Sequence, residues 1–185
     1  MKDINFFEIK DSYYFKLLNR KEDILRDEGV FGYLIDSGEK EARRIIDSLK
    51  EKNKKIGVLA IDDTFNRKAV EKMKIDYFVL NHKHGRDSLK QRDSGLNHVL
   101  ARIIKKNNIT LIIDCSEFRT KDLLKRSEIV SRVIQNLKIV RKIGCKIKFA
   151  SLAYNLDEVM DQKMRQSIIL SLGGSTTQGK EGVEF

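Results

Sequence analysis

Short apolar runs alternate along the chain with longer segments of helical period. Residues 3–7, 31–35, 56–61, 77–80, 109–114 and 146–151 read as strands. IGVLAI and ITLII are continuous apolar runs, as a strand needs when both its faces are covered. Between them, 39–52 places Ala42, Ile45, Ile46 and Leu49 at spacings of 3, 4 and 7, and 94–106, 127–143 and 157–172 share that property. A strand–helix alternation repeated about five times predicts βαβ units around a parallel sheet. No GxGxxG or GxxxxGK[ST] follows the first strands, so the dinucleotide and P-loop open sheets lose their main support. A complete eight-fold barrel takes about 250 residues. The 185 residues here predict an α/β fold that is TIM-barrel-like but small or incomplete, with parallel strands. Residues 8–30 read as helical with no clear strand. GGSTTQGKEGVEF, residues 173–185, holds 4 of the 11 glycines and reads as a flexible tail, leaving 1–172 as one domain.

The chain is 41% hydrophobic, enough to argue against disorder, and no apolar run approaches the ~20 residues that cross a bilayer. Charges flank the short apolar stretch of MKDINFFEIKD, so it does not read as a signal peptide. Two cysteines, Cys115 and Cys145, make no disulfide framework and no CxxC pair; they read as small buried side chains in a reducing cytoplasm.

Charge changes the picture. Residues 82–148 carry 17 Lys and Arg against 6 Asp and Glu; the rest of the chain carries 20 against 21. The net charge of +10 is therefore confined to one stretch, which favours a polyanionic partner over a merely solvated surface. No helix has the bulky aromatic face of a membrane-surface helix. Within the stretch, NHKHGRDSLKQRDSGLNHVLARIIKKNN (81–108) leaves a strand, crosses a polar loop and enters a helix that Asp93 or Ser94 can cap. Leu96, Val99, Leu100, Ile103 and Ile104 form its apolar side. His98, Arg102, Lys105 and Lys106 lie opposite, and the loop adds Lys83, Arg86, Lys90 and Arg92. An ordinary surface helix has the same spacing, but loop and helix together can gather cations on phosphates without reading base sequence.

RDSGLNHVLARIIKKNN resembles the central signature of the archaeal ribonuclease P protein component 3 family, related to the eukaryotic thirty-kilodalton subunit. The pieces that follow keep the family's order: IDCSEF after a strand, Arg132 and Asn136 of an Arg-x-x-x-Asn core in SRVIQNLKIVRK, then KFASLA and SIILSLG. The similarity runs from about Lys74 to Gly173. The N-terminal third matches weakly, and KDINFF lacks the histidine of the family's first strand. The resemblance implies a barrel related to the polymerase-and-histidinol-phosphatase barrels. It also implies a noncatalytic subunit of the ribonucleoprotein that removes the 5′ leader of precursor tRNA. Its partners would be the catalytic RNA, precursor tRNA, protein component 2 and other subunits; Mg²⁺ would be bound by the RNA and no cofactor or metal by the chain. The RNA-facing candidates are Arg86, Lys90, Arg92, His98, Arg102, Lys105 and Lys106, with Arg119, Lys125 and Arg126 as a second set.

The alternative is a metal-dependent phosphoesterase of that barrel type, built on His82-x-His84 with Asp62, Asp63, Asp114 and Glu117 near strand ends. Against it, the pair follows the fourth strand read from the sequence, and only one further histidine exists. His82 and His84 then read as a polar loop partly facing RNA, and Asp114 as a loop-ordering acceptor. A third class, a purely structural interaction barrel, would bind protein partners and no RNA. Tyr13, Tyr14 and Phe15 could stack on a base but read as core.

Overall fold

The structure, a computed structural model, describes residues 3–10, 12–24, 29–83, 87 and 92–185. Seven parallel strands pair in sequential order: β1 (Ile4–Asn5), β2 (Tyr13–Leu18), β3 (Gly32–Ile35), β4 (Lys55–Leu59), β5 (Tyr77–Leu80), β6 (Thr110–Asp114) and β7 (Ile147–Ala150). Helices α1 (Glu39–Leu49), α2 (Asp63–Lys72), α3 (His98–Lys106) and α4 (Leu123–Ile143) connect β3 to β7 in turn, and α5 (Gln162–Ser171) and α6 (Thr176–Glu181) follow. The first two connections hold no α-helix among the described residues.

The sheet nearly closes on itself. Beyond β7 the chain stays extended, so Leu152 N–H donates to the Ile4 carbonyl (3.0 Å) and Phe6 N–H to the Ala153 carbonyl (2.8 Å). Lower on this seam, Arg165 of α5 donates to the Phe149 carbonyl (2.8 Å) and pairs with Asp3 (3.0 Å). Burial pushes the Asp3 carboxyl up, against the pull of Arg165. Alternation along each strand sorts the core into two layers. Ile4, Phe15, Leu34, Val79, Ile112, Ala150 and Leu152 fill the barrel, while Ile35, Val58, Phe78, Leu111 and Phe149 face outward onto the helices. This is a small TIM-barrel-like fold, as the alternation of elements predicts.

Two expectations are corrected and one helix is added. The 8–30 segment, read as helical, holds a strand, β2, and no α-helix among its described residues: Tyr13, Phe15 and Leu17 join the inner layer, and Tyr14 and Leu18 the outer. Helix α2 is an element beyond those predicted from the sequence pattern; Asp62 caps it by accepting from Phe65 N–H (2.8 Å), and it buries Phe65, Ala69 and Val70. The 173–185 tail is folded. A reciprocal Ser175–Gln178 cap starts α6, the Gly182 carbonyl accepts from Phe149 N–H (2.7 Å), and Val183 is fully buried. Phe185 reaches the inner layer, where Lys148 lies over its ring.

Candidate nucleic-acid interface

Helices α3 and α4 lie side by side on one flank of the barrel and are tied at both ends. Lys105 Nζ donates to the Ile143 carbonyl at the end of α4 (2.7 Å), and Gln135 of α4 donates to Ser94 Oγ (3.0 Å) ahead of α3. On α3, Leu100, Ala101 and Ile104 are buried, which turns His98, Arg102, Lys105 and Lys106 outward as their spacing predicts. Val99, expected on the apolar side, is 56% exposed instead. The cap is Asn97, accepting from Leu100 N–H (2.9 Å), and neither Asp93 nor Ser94. Ser94 is spent on the Leu96 carbonyl and on Gln135.

Arg92 is exposed and 3.8 Å from Asp87. Lys125 is exposed in the first turn of α4, after Asp122 has capped that helix through Leu124 and Lys125 N–H. Arg126 is exposed too, but its guanidinium folds back onto the Thr120 carbonyl (2.5 and 3.0 Å). Arg119 is half-buried in the 3-10 turn Cys115–Arg119 after β6, so less of its charge faces outward. Arg86, Lys90 and His84 lie outside the described residues. Lys138, Arg141 and Lys142 add exposed charge toward the far end of α4, so the basic strip follows a helix of 21 residues, about 30 Å long.

The decisive contrast is with the neighbouring flank. On and just after α1 and α2 most cations are matched: Arg43 with Glu39, Arg44 with Glu41, Lys50 with Asp47, Arg67 with Glu71 and Lys68 with Glu39, while Lys40 and Lys72 are exposed without a carboxylate partner among the described residues. On α3 and α4, Arg102, Lys106, Lys125, Lys138, Arg141 and Lys142 have no carboxylate within ion-pair distance among the described residues.

Beneath the strip lies a buried polar network that residue spacing alone did not disclose. His82 is fully buried at the end of β5, not partly exposed as expected. Its backbone N–H donates to Glu117 (3.1 Å), and its Nδ1 lies 2.7 Å from the same carboxylate. Asn136 Nδ2 lies 3.0 Å from His82 Nε2 and donates to the Ser94 carbonyl (3.0 Å). The Ser94 carbonyl fixes that amide's orientation, so Nε2 accepts and Nδ1 carries the proton. Arg132, 2% exposed, donates to the His82 carbonyl (2.5 Å) and to Asp87 (2.9 Å). The signal that could have found it is the Arg-x-x-x-Asn pair, which puts Arg132 and Asn136 on one face of α4.

The other acids are engaged locally. Asp114 accepts from Ser116 N–H (2.7 Å) and Oγ (2.8 Å), and burial raises its carboxyl to about 6. Asp62 caps α2. Among the described residues no group of three or more His, Cys, Asp or Glu side chains could hold a metal ion. Cys115 and Cys145 are free and buried, and burial raises both thiols. No described helix is long and apolar enough to cross a membrane.

No family model matches the chain. Ribonuclease P protein component 3 of Methanothermobacter thermautotrophicus is 24% identical over 153 residues, covering 82% of this chain and 60% of the relative. The chain resembles ribonuclease P protein component 3. It spans about three fifths of that relative's length. In three dimensions it is similar to a chain of an archaeal ribonuclease P solved with mature tRNA, at a TM-score of 0.76 and 18% identity, covering 98% of this chain and 86% of that one. An amidohydrolase shares the fold at 0.55 and 10% identity, over 77% of this chain and 38% of that enzyme. A prolidase solved with N-methylphosphonate-L-proline does so at 0.58 and 13%, over 88% and 43%. These structural likenesses speak for the barrel, and the component 3 relative also shares sequence over most of the chain.

Proposed function

We propose that this chain is a noncatalytic protein subunit of ribonuclease P in the cytoplasm. It binds the catalytic RNA and helps position it for removal of the 5′ leader of precursor tRNA. The observation that carries this is the row of exposed cations on α3 and α4 without carboxylate partners, set against the paired cations of α1 and α2. A fold that pairs most cations of one flank with its own acids and leaves six on the next without such partners keeps that flank for an external polyanion. Lys and Arg there offset the repulsion between RNA phosphates brought together as the RNA compacts. The similarity to component 3 supplies the class of polyanion. Protein component 2 and other subunits are the expected protein partners, and Mg²⁺ belongs to the RNA. The phosphoesterase reading is less favoured because His82 and Glu117 are spent on each other and on Asn136.

Joint reversal of Arg92, Arg102 and Lys106 to Glu tests the proposal. It should weaken binding to ribonuclease P RNA by more than about tenfold and flatten the dependence of affinity on salt. Precursor-tRNA cleavage, reconstituted with and without the chain, should fall with it. Binding that is unchanged across salt concentrations rejects the proposal.

A further inference from the structure

From α4, the buried network beneath the basic strip grips described residues of the connection from β5 to α3. Glu128, Arg132, Gln135 and Asn136 stand at i, i+4, i+7 and i+8, so they share one face of α4. Arg132 holds the start of the connection through the His82 carbonyl and its middle through the Asp87 carboxylate. Gln135 and Asn136 hold its end through the Arg92 carbonyl (3.3 Å) and the Ser94 carbonyl (3.0 Å). Asp87 in turn accepts from Asp93 N–H (2.8 Å) and faces Arg92. Among its described residues Leu96 joins the hydrophobic core, and α4 holds His82, Asp87, Arg92 and Ser94 with hydrogen bonds.

A buried guanidinium is an expensive way to gain stability, since well-packed apolar residues of similar size serve as well or better. What the fork of Arg132 supplies is direction: it fixes the His82 carbonyl and Asp87 relative to each other. We propose that Arg132 and Asp87, with Gln135, are positioning residues for RNA binding. They set His82, Asp87 and Arg92 so that Lys83, Arg92 and the exposed face of α3 meet successive phosphates as one surface. This deepens the RNA-binding reading and rests on it.

Asp87 separates this from simple charge attraction. It is an acid within the most basic stretch of the chain, where its own charge repels phosphate. If charge alone governed binding, Asp87→Asn would tighten it. If Asp87 positions the connection, Asp87→Asn weakens binding although the protein becomes more positive. A second variant, Gln135→Met, removes the grip on the Arg92 carbonyl and Ser94 with no change of charge at all.

The experiment is fluorescence-anisotropy titration of ribonuclease P RNA with the full chain at several salt concentrations. Thermal melts run alongside to restrict comparison to variants folded at the assay temperature. Both variants should bind about five- to tenfold more weakly than the parent, with the salt slope reduced by about one phosphate contact. Asp87→Glu, which restores a carboxylate, should recover part of the loss. The inference is overturned if Asp87→Asn binds as tightly as the parent or tighter, or if Gln135→Met is neutral. Failure of the parent chain itself to bind the RNA would instead overturn the RNA-binding reading.

Discussion

Asp114 is where pH acts on the fold through one side chain. Burial is the largest influence on its carboxyl; Ser116 pulls the other way and nearby Glu117 adds to burial, leaving the group at about 6 against an ordinary 3.8. A carboxyl that protonates more readily in the fold than in the unfolded chain favours folding at low pH. Its contribution is complete below about 4 and is lost as pH rises through 6. Asp114→Asn removes the charge that burial penalises and keeps one acceptor for Ser116. Its stability should match the parent near pH 4 and exceed it by about 3 kcal/mol well above pH 6, since each tenfold change in proton affinity is worth about 1.4 kcal/mol. Urea denaturation at acid and neutral pH measures the difference; an equal effect at both pH values rejects the assignment. Asp87 behaves oppositely. Partial burial disfavours its carboxylate, but the Arg132 hydrogen bond, Asp93 N–H and the two arginine charges outweigh this and hold it below the ordinary range. Its contribution is therefore present above the ordinary carboxylate pKa and fades as pH falls through the lowered one.

At the scale of elements, the C-terminal segment decides whether the barrel's seam is covered. Removing residues 176–185 deletes fully buried Val183, exposes the Phe149 N–H that Gly182 satisfies, and uncovers Lys148. Loss of about 3 kcal/mol is expected, and at this chain length that lowers the melting temperature by roughly 6–12 °C. An unchanged melting curve in scanning calorimetry would mean that the segment contributes nothing. The sequence hid this segment because TTQGKE has no apolar face: a cap, a Gln178 bond to the Leu137 carbonyl and three residues beyond the helix hold it. β2 was hidden for the opposite reason. YYFKLL sends apolar side chains both into the barrel and out toward the helices, so it carries no period-2 signal and resembles a helical core segment. β3 to β7 were legible because their runs are short and set off by polar segments. At the site, the outward face of α3 followed from the spacing of Arg102, Lys105 and Lys106. The burial of Arg132 and His82 did not, because it depends on partners some fifty residues away.

For the whole molecule, the net charge of +10 says less than its distribution. Two triple variants of equal charge change separate the two. Arg43, Arg67 and Lys68 to Gln removes three cations that already have carboxylate partners. Arg102, Lys106 and Lys125 to Gln removes three that have none among the described residues. Both lower the long-range attraction to RNA equally, so that contribution cancels in the comparison. Exposed ion pairs of the first kind add little to stability, so the first variant stays folded. Its affinity for ribonuclease P RNA should fall only slightly, and its salt slope should stay near the parent's. The second variant should lose between ten- and a thousandfold in affinity at moderate salt, with about two to three fewer counterions released, because its cations are the ones free to meet phosphate. Filter-binding titrations of both variants at matched salt decide between local contact and bulk charge. Equal slopes would show that the molecule attracts RNA as a uniformly positive body and that the α3–α4 flank has no special part in it.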